Sequence, residues 1–300
     1  MKTLHATLFG FLASVFQVQA QSLNIVTDIA PVHSIVSAIT QDHANLDLIV
    51  RPGISAHSYV MRPSEAKSLQ NADIVIWTGP KNVPWLRAPL SNIAGSATAF
   101  DLSQSPGINL LGMRSNHSHA DDGHGHEHSH DIEFLDPHIW LDPENAIAWI
   151  DPIVELLSDQ DPENSKTYRQ NGQILRTELN ALLNEIRGLN PSSGKFAVYH
   201  DAYQYIERHV GASAVLSLTD VTGRSAGAAW IRQFSEELKV HDYSCFIAEP
   251  DFNRSLGNRL LEGTDTRLVV LDPLGGEFEP GPDLYSGLIR KIASEISNCQ

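Results

Sequence analysis

The chain contains 300 residues, of which 42% are hydrophobic, so it can form one large domain or two domains of ordinary size. Its formal net charge of −15 at pH 7 argues against nucleic acid or an anionic membrane surface as its partner. Beyond the N-terminal region, no apolar run is long enough to span a bilayer.

The first twenty residues predict a secretory signal peptide. Lys2 supplies a positive charge, residues 8–18 are mostly apolar, and Val18-Gln19-Ala20 is typical of a cleavage site. A buried N-terminal helix is the alternative. No cysteine lies near the cleavage site, which argues against a lipid anchor. We therefore expect residues 1–20 to be removed and the mature, exported chain to begin near Gln21.

Short apolar runs then alternate with helical stretches. This order predicts a parallel sheet flanked by helices. Pro31 and Pro63 stand where the first turns of two helices are expected. The predicted strands cover residues 23–27, 46–50 and 73–77, and the predicted helices cover residues 31–39 and 63–69.

A histidine-rich tract interrupts this alternation. Six histidines fall between His117 and His130, with Gly123 and Gly125 among them, and no apolar period is present. Such a segment cannot bury enough surface to offset its own ordering entropy. Because imidazole is a common zinc ligand, we interpret residues 115–131 as a loop that collects metal ions. A solvated polar loop without function is the alternative.

Two helices are predicted after the tract, at residues 143–157 and 162–189. The second has buried-type positions at a period close to 3.6, among them Ile174, Leu175, Leu179 and Leu183. At 1.5 Å per residue it would be about 40 Å long, which is the width of a domain. We therefore expect residues 161–190 to link two lobes.

Alternation of strands and helices resumes after Gly194. The fold class is thus α/β, with two lobes that are each a parallel sheet flanked by helices, one long connecting helix, and a metal cleft between the lobes. The lobes are expected at residues 21–160 and 191–300. The predicted strands are 196–199, 214–218, 245–248 and 268–271, and the predicted helices are 202–209, 230–240, 256–261 and 284–296.

Four candidate ligands lie at strand ends or in loops. His57 follows the strand ending at Val50, His200 follows Tyr199, and Asp272 follows Leu271. His138 lies in a loop after the histidine-rich tract. Ligands of open α/β sheets bind beyond the carboxyl ends of strands, and clefts often form between lobes. Three imidazoles and one carboxylate make a tetrahedral zinc shell. Asp201 and Glu249 are candidates for orienting an imidazole.

The two cysteines, Cys245 and Cys299, both lie in the last quarter of the chain. An even count in an exported protein favours a disulfide. A zinc site that uses these thiolates is the weaker interpretation, because neither cysteine has a CxxC-type neighbour.

Several segments together resemble the ZnuA family, the periplasmic zinc-binding proteins of ABC importers. The similarity spans essentially the whole mature chain. It is carried by HSYVMRPS at residues 57–64, DPHIWLDP at 136–143, HDAY at 200–203, AEP at 248–250 and LDPLG at 271–275.

The resemblance implies that His57, His138 and His200 bind zinc(II), that Asp272 or water completes the shell, and that Cys245 pairs with Cys299. Manganese or iron receptors of the same group carry Glu in place of the third histidine, which favours zinc. Some zinc-specific relatives have an acidic residue just before the first histidine, where this chain has an alanine. The implied partner is the membrane permease of an ABC importer, and a periplasmic zinc chaperone is a further candidate. We expect a monomer.

The sequence is compatible with three functions. A non-enzymatic zinc receptor accounts for the two lobes and the cleft, whereas a zinc buffer or metallochaperone would need only the loop. A zinc hydrolase would keep an open coordination position and a general base, and no HExxH motif occurs. The absence of a Walker motif argues that the chain does not itself power transport. We expect zinc affinity to fall below about pH 6, as the histidines become protonated.

Overall fold

Two fully parallel four-stranded sheets organise the computed structural model, which describes residues 22–51, 53–57, 59–114, 135–189, 194–221, 223 and 227–299. The predicted signal peptide and histidine-rich loop lie outside the described residues. The first sheet has the order β2-β1-β3-β4 and the second the order β6-β5-β7-β8. The strands are β1 (Leu23–Ile29), β2 (Ala44–Val50), β3 (Ile74–Trp77), β4 (Thr98–Asp101), β5 (Lys195–His200), β6 (Leu216–Thr219), β7 (Tyr243–Ala248) and β8 (Arg267–Val270).

Helices flank both sheets, so the predicted α/β fold with two parallel sheets and one long helix is confirmed. The sequence predicted neither β4 nor α3. The strand β4 was missed because it is a short edge strand with two exposed residues and no apolar alternation. The helices are α1 (Ala30–Thr40), α2 (Pro63–Gln70), α3 (Arg87–Asn92), α4 (Pro143–Gln160), α5 (Ser165–Arg187), α6 (Gln204–Val210), α7 (Ala228–Val240), α8 (Arg254–Leu260) and α9 (Leu284–Asn298).

Along the sequence, the long helix α5 follows the first sheet and precedes the second. Its 23 residues give a length of about 35 Å. Gly172 lets α4 approach closely, since a Cβ there would lie 2.8 Å from a methyl group of Val154. The apolar face predicted from the sequence is buried except for Ile174, whose side chain is 49% exposed.

The two lobes also meet through α9 and the loop before it. The hydroxyl of Tyr285 donates to the carbonyl of Trp140 at 3.0 Å, and its backbone N–H donates to Ser34 Oγ at 2.9 Å. The Trp140 indole donates to the carbonyl of Pro273 at 2.9 Å. Buried apolar residues of both lobes form one continuous cluster around these contacts. The lobes are therefore joined by packed surfaces as well as by the long helix.

A disulfide joins Cys245 on β7 to Cys299 just after α9, as predicted, with a Cα–Cα distance of 5.2 Å. In the chain-entropy model, closing a loop of this length stabilises the fold by about 4 kcal/mol. The bond fastens the C-terminal helix to the second sheet. Across the described ranges, no helix is long and apolar enough to cross a membrane.

Candidate metal centre

Three histidines from different parts of the chain converge between the lobes. His57 lies in the loop after β2, His138 precedes a short 3-10 turn, and His200 is the last residue of β5 rather than the residue after it. Their ligand atoms all lie within 4.8 Å of one another. The ring centroids are separated by 5.2, 5.4 and 4.8 Å. The structure thus brings together all three histidines that the sequence selected.

The spacing of the imidazole nitrogens suits a tetrahedral ion. The Nε2 atoms of His57 and His138 are 3.2 Å apart. An ion bound at zinc–nitrogen distances of about 2.0–2.1 Å in tetrahedral geometry requires nitrogens about 3.3 Å apart. These two imidazoles therefore already stand at the separation that such an ion needs.

Each imidazole is oriented through its Nδ1 atom. His138 Nδ1 lies 2.7 Å from Asp136 Oδ1, and His200 Nδ1 lies 2.7 Å from Glu249 Oε1. His57 Nδ1 donates to the carbonyl of Asn82 at 3.2 Å. Fixing Nδ1 in this way selects the ring orientation that directs Nε2 toward a metal ion.

The sequence identified one of these three orienting partners. Glu249 acts as expected, because it follows β7 directly and β7 is the neighbour of β5. Asp136 was missed, although its position two residues before His138 is typical of an Asx turn, in which its carboxylate accepts from the backbone N–H of His138 at 3.0 Å. Asn82 contributes its backbone oxygen, and because every residue has one, the sequence cannot show which residue will orient His57. Asp201 orients none of the three imidazoles, because its carboxylate pairs with Arg114.

The topology explains why these groups meet. In the first sheet, β2 lies on one side of β1 and β3 lies on the other, and in the second sheet β6 and β7 flank β5 in the same way. The strand order therefore reverses between β1 and β3 and between β5 and β7, and these two positions are topological switch points. His200 and Glu249 stand at the second switch point. At the first, Asp28 accepts from the backbone N–H of Thr78 at 2.8 Å, and Asn82 Nδ2 donates to Thr78 Oγ1 at 2.8 Å. This hydrogen-bond chain fixes the turn whose carbonyl orients His57.

Burial and charge give the three imidazoles different proton affinities. Burial lowers the pKa of His57 to about 4 and lowers that of His138 well below its ordinary value. Burial acts in the same direction on His200, but the Glu249 carboxylate and its hydrogen bond outweigh it and raise the pKa of His200 to about 9. The His200 Nε2 atom lies 3.0 Å from the carbonyl of Val221. Doubly protonated His200 therefore donates to both partners when no metal ion is bound.

The pKa of the Asp136 carboxyl group also departs from its ordinary value. Burial is the largest cause and raises the pKa of its carboxyl group to about 8, while the N–H of His138 opposes this. Its Oδ2 atom is buried and has no hydrogen-bond partner among the residues that the structure describes. The Asp136–His138 pair therefore carries a proton near neutral pH that a bound cation can displace.

Asp272 lines the same pocket but is not part of the close imidazole group. Its Oδ2 atom accepts from the backbone N–H groups of Gly53 at 2.9 Å and Gly276 at 2.8 Å. Its Oδ1 atom accepts from Leu274 N at 2.8 Å. Because Gly53 belongs to the loop that carries His57, Asp272 connects this loop to the second lobe. Its assignment as a metal ligand stays a prediction.

A second group with ligand-like spacing is formed by Asp142, Glu144 and His209. His209 Nε2 lies 2.7 Å from Asp142 Oδ1, and the guanidinium of Arg187 lies 2.5 Å from Glu144 Oε1. Arg208 lies 3.8 Å from Asp142. Two guanidinium groups therefore already neutralise this cluster, which disfavours a metal ion there. His209 is buried in this network.

Comparisons with known proteins cover most of the chain. The family model of the zinc-uptake complex component A, periplasmic (ZnuA), matches residues 25–299. The chain is 34% identical to the high-affinity zinc uptake system protein ZnuA of Brucella abortus (strain 2308), over 100% of this chain and 99% of the relative. It is 32% identical to the Yersinia pestis protein of the same name, over 93% and 91%. A crystal structure of ZnuA superposes with a TM-score of 0.77 at 21% identity, over 93% of this chain and 99% of that one. The chain belongs to the ZnuA family of periplasmic zinc-uptake components.

Proposed function

We propose that this protein is a periplasmic receptor that captures zinc(II) and delivers it to the membrane permease of an ABC importer. The observation that carries the proposal is the convergence of His57, His138 and His200, each oriented through Nδ1. A metal ion would bind at Nε2, where it replaces the contact of His200 with the carbonyl of Val221. The names of the relatives support zinc as the cargo.

The donor set supports zinc over harder cations. Imidazole nitrogen suits zinc and its borderline neighbours, whereas magnesium, calcium and manganese prefer oxygen ligands. Burial lowers the pKa values of His57 and His138, so both rings are neutral at pH 7 and neither carries the second proton that would block a metal ion. We expect zinc to bind far more tightly than manganese.

The test is a competition titration of the purified mature protein with zinc and manganese, combined with metal analysis. One tight zinc site should be lost in His138→Ala. His241→Ala is a matched control, because His241 is half-exposed and pairs with Glu237 away from the pocket. Equal affinity for the two metals in the unmodified protein would contradict the proposal, as would a tight site that survives in His138→Ala.

For the fourth coordination position we propose water or Asp272. The three amide hydrogen bonds to Asp272 favour water, since Oδ2 already accepts two of them. We further propose that the site is not catalytic. Three carboxylates line the pocket, those of Glu249, Asp251 and Asp272. Glu249 is engaged by His200 and Asp272 by backbone amides, so neither of these two is free to act as a general base, and the assay tests Asp251. An esterase assay of the zinc-loaded protein should give only the background rate.

We propose that residues 1–20 are a signal peptide and that the mature chain divides into lobes at 21–160 and 191–300, linked by 161–190. The periplasmic family supports export. Intact mass of protein recovered from the periplasm should correspond to a chain beginning near Gln21, and a mass that includes residues 1–20 would contradict this. We propose a monomer that docks on the permease, with a periplasmic zinc chaperone as a further partner.

A further inference from the structure

One cation, Arg114, joins the two lobes behind the imidazoles. Its side chain is 16% exposed, and it meets two carboxylates, those of Asp201 and Glu207, that are each 3% exposed. Four hydrogen bonds connect the guanidinium to them, including Nε to Asp201 Oδ2 at 3.2 Å and Nη2 to Glu207 Oε1 at 3.2 Å. A planar guanidinium that binds two carboxylates in this way fixes the orientation of both side chains and also neutralises their negative charge.

Arg114 is rigidly connected to the first lobe. Gly112 forms a β-bridge with Leu135, and the backbone N–H of Asp136 donates to the carbonyl of Leu111 at 2.9 Å. Asp136 is the residue that orients His138. The segment that carries Arg114 is therefore the neighbour of the segment that positions the second imidazole.

On the other side, Arg114 holds the start of the segment after β5. Asp201 follows His200 directly, and Glu207 lies on α6, where Glu207 Oε2 also accepts from the backbone N–H of Ala214. The phenol of Tyr205, also on α6, accepts from the N–H of Leu111 at 2.9 Å and donates to the carbonyl of Asp136 at 3.1 Å. The third imidazole is thus tied to the first lobe through its own chain neighbour.

The charges show why a cation is needed at this point. Asp136, Asp201 and Glu207 are all buried, and the negative charge of Asp201 acts on both Asp136 and Glu207. A buried carboxylate that loses its cationic partner is strongly unfavourable. Without Arg114, the buried carboxylates of Asp201 and Glu207 would lose the cation that connects the segment after His200 to the first lobe.

We propose that Arg114 is a positioning residue of the zinc site, which sets the position of His200 relative to His138 without touching the metal ion. The inference rests on the proposed zinc site. Residues that orient metal ligands from outside typically change metal affinity by about 10–100-fold when they are replaced. We expect zinc affinity to fall by a similar factor when the contacts of Arg114 between the lobes are lost.

The experiment uses the full mature chain with three variants. Arg114→Met removes the cation, and Arg290→Met is the matched control, because Arg290 makes the same two-pronged contact with Glu185 at 2.7 and 3.0 Å but lies away from the pocket. The triple variant Arg114→Met, Asp201→Asn, Glu207→Gln also removes the unbalanced carboxylates, so it keeps the fold if the single variant does not. Zinc affinity is measured by chelator competition, and cobalt(II) absorption reports the coordination geometry.

The proposal predicts a 10–100-fold loss of zinc affinity and an altered cobalt(II) spectrum in both Arg114 variants, and no change in Arg290→Met. If Arg114 served stability alone, the triple variant would bind zinc within twofold of the parent with the same spectrum, and the proposal would be wrong. The parent protein and His138→Ala test the zinc site itself. A parent without a tight site would therefore overturn the proposed function, which is distinct from a failure of the Arg114 assignment.

Discussion

Zinc binding should release protons, and the amount follows from the pKa values of the site. Below about pH 9, His200 carries a proton on each ring nitrogen, because Glu249 raises its pKa to about 9. Zinc can take Nε2 only after that proton leaves. The proton therefore competes with the ion, and affinity rises with pH until His200 is neutral.

The size of the effect can be worked out from these values. At pH 7, two units below the pKa of about 9 of His200, competition lowers the apparent zinc affinity on the order of 100-fold, or about 3 kcal/mol. Asp136 adds to this, because its pKa is about 8 and zinc on His138 Nε2 requires a proton on Nδ1, which is best accepted by the ionised carboxylate. His57, with a pKa of about 4, releases none. We expect proton release to approach about two per zinc at pH 7.

Isothermal titration in buffers of different ionisation enthalpy counts the released protons, and competition titrations from pH 6 to 10 give the slope of affinity against pH. Glu249→Gln is the diagnostic variant, since it removes the charge that raises the pKa of His200. This variant should release about one proton fewer and lose affinity at pH 9 by about 10–100-fold. A parent protein that releases almost no protons at pH 7, with affinity constant between pH 6 and 9, would refute the reasoning.

Further predictions concern single parts of the molecule. His57→Ala should weaken zinc binding by orders of magnitude in a competition titration, since the chelate loses a nitrogen ligand, and unchanged affinity would contradict the assignment. Asp272→Asn should lower affinity by less than about tenfold, the scale of one weakened hydrogen bond, whereas a loss as large as that of His57→Ala would make Asp272 a ligand. Replacing Cys245 and Cys299 by Ser should cost up to about 4 kcal/mol in denaturant unfolding while one tight zinc site remains. Deleting residues 117–130 should remove only weak sites from a zinc titration, and loss of the tight site would show that the tract is structural.

The sequence could select the histidines that the structure brings together because the positions of two of them follow a local rule. His57 and His200 come after or at the end of short apolar strands, and parallel strands present their carboxyl ends at one edge. The expected onset of proton competition near pH 6 assumed ordinary imidazoles. In the structure, burial lowers the pKa of His57, whereas Glu249 raises the pKa of His200. No pattern along the chain could supply this, because it depends on which groups the fold places side by side.

Other features were missed for the same reason. Arg114 meets residues 87 and 93 positions later in the chain, and no spacing rule connects them. The hydrogen bond from His57 ends on the backbone of Asn82, where any residue would offer the same oxygen. The hydrogen bond from Tyr285 to the carbonyl of Trp140 joins the lobes in addition to the predicted linker helix. Local periodicity predicts elements, but these contacts depend on the way in which the elements meet.

The distribution of partners around the imidazoles also explains how a buried pocket accepts a doubly charged ion. Taking an isolated dication out of water would be very costly, as it is for any buried charge. Here Asp136 and His200 each hold a displaceable proton near neutral pH, and Asp136 and Glu249 stand behind two of the three rings. Exchange of two protons for one zinc ion leaves the net charge of the pocket unchanged. The same carboxylates that orient the ligands therefore balance the charge of the ion, so proton release and tight binding follow from one arrangement.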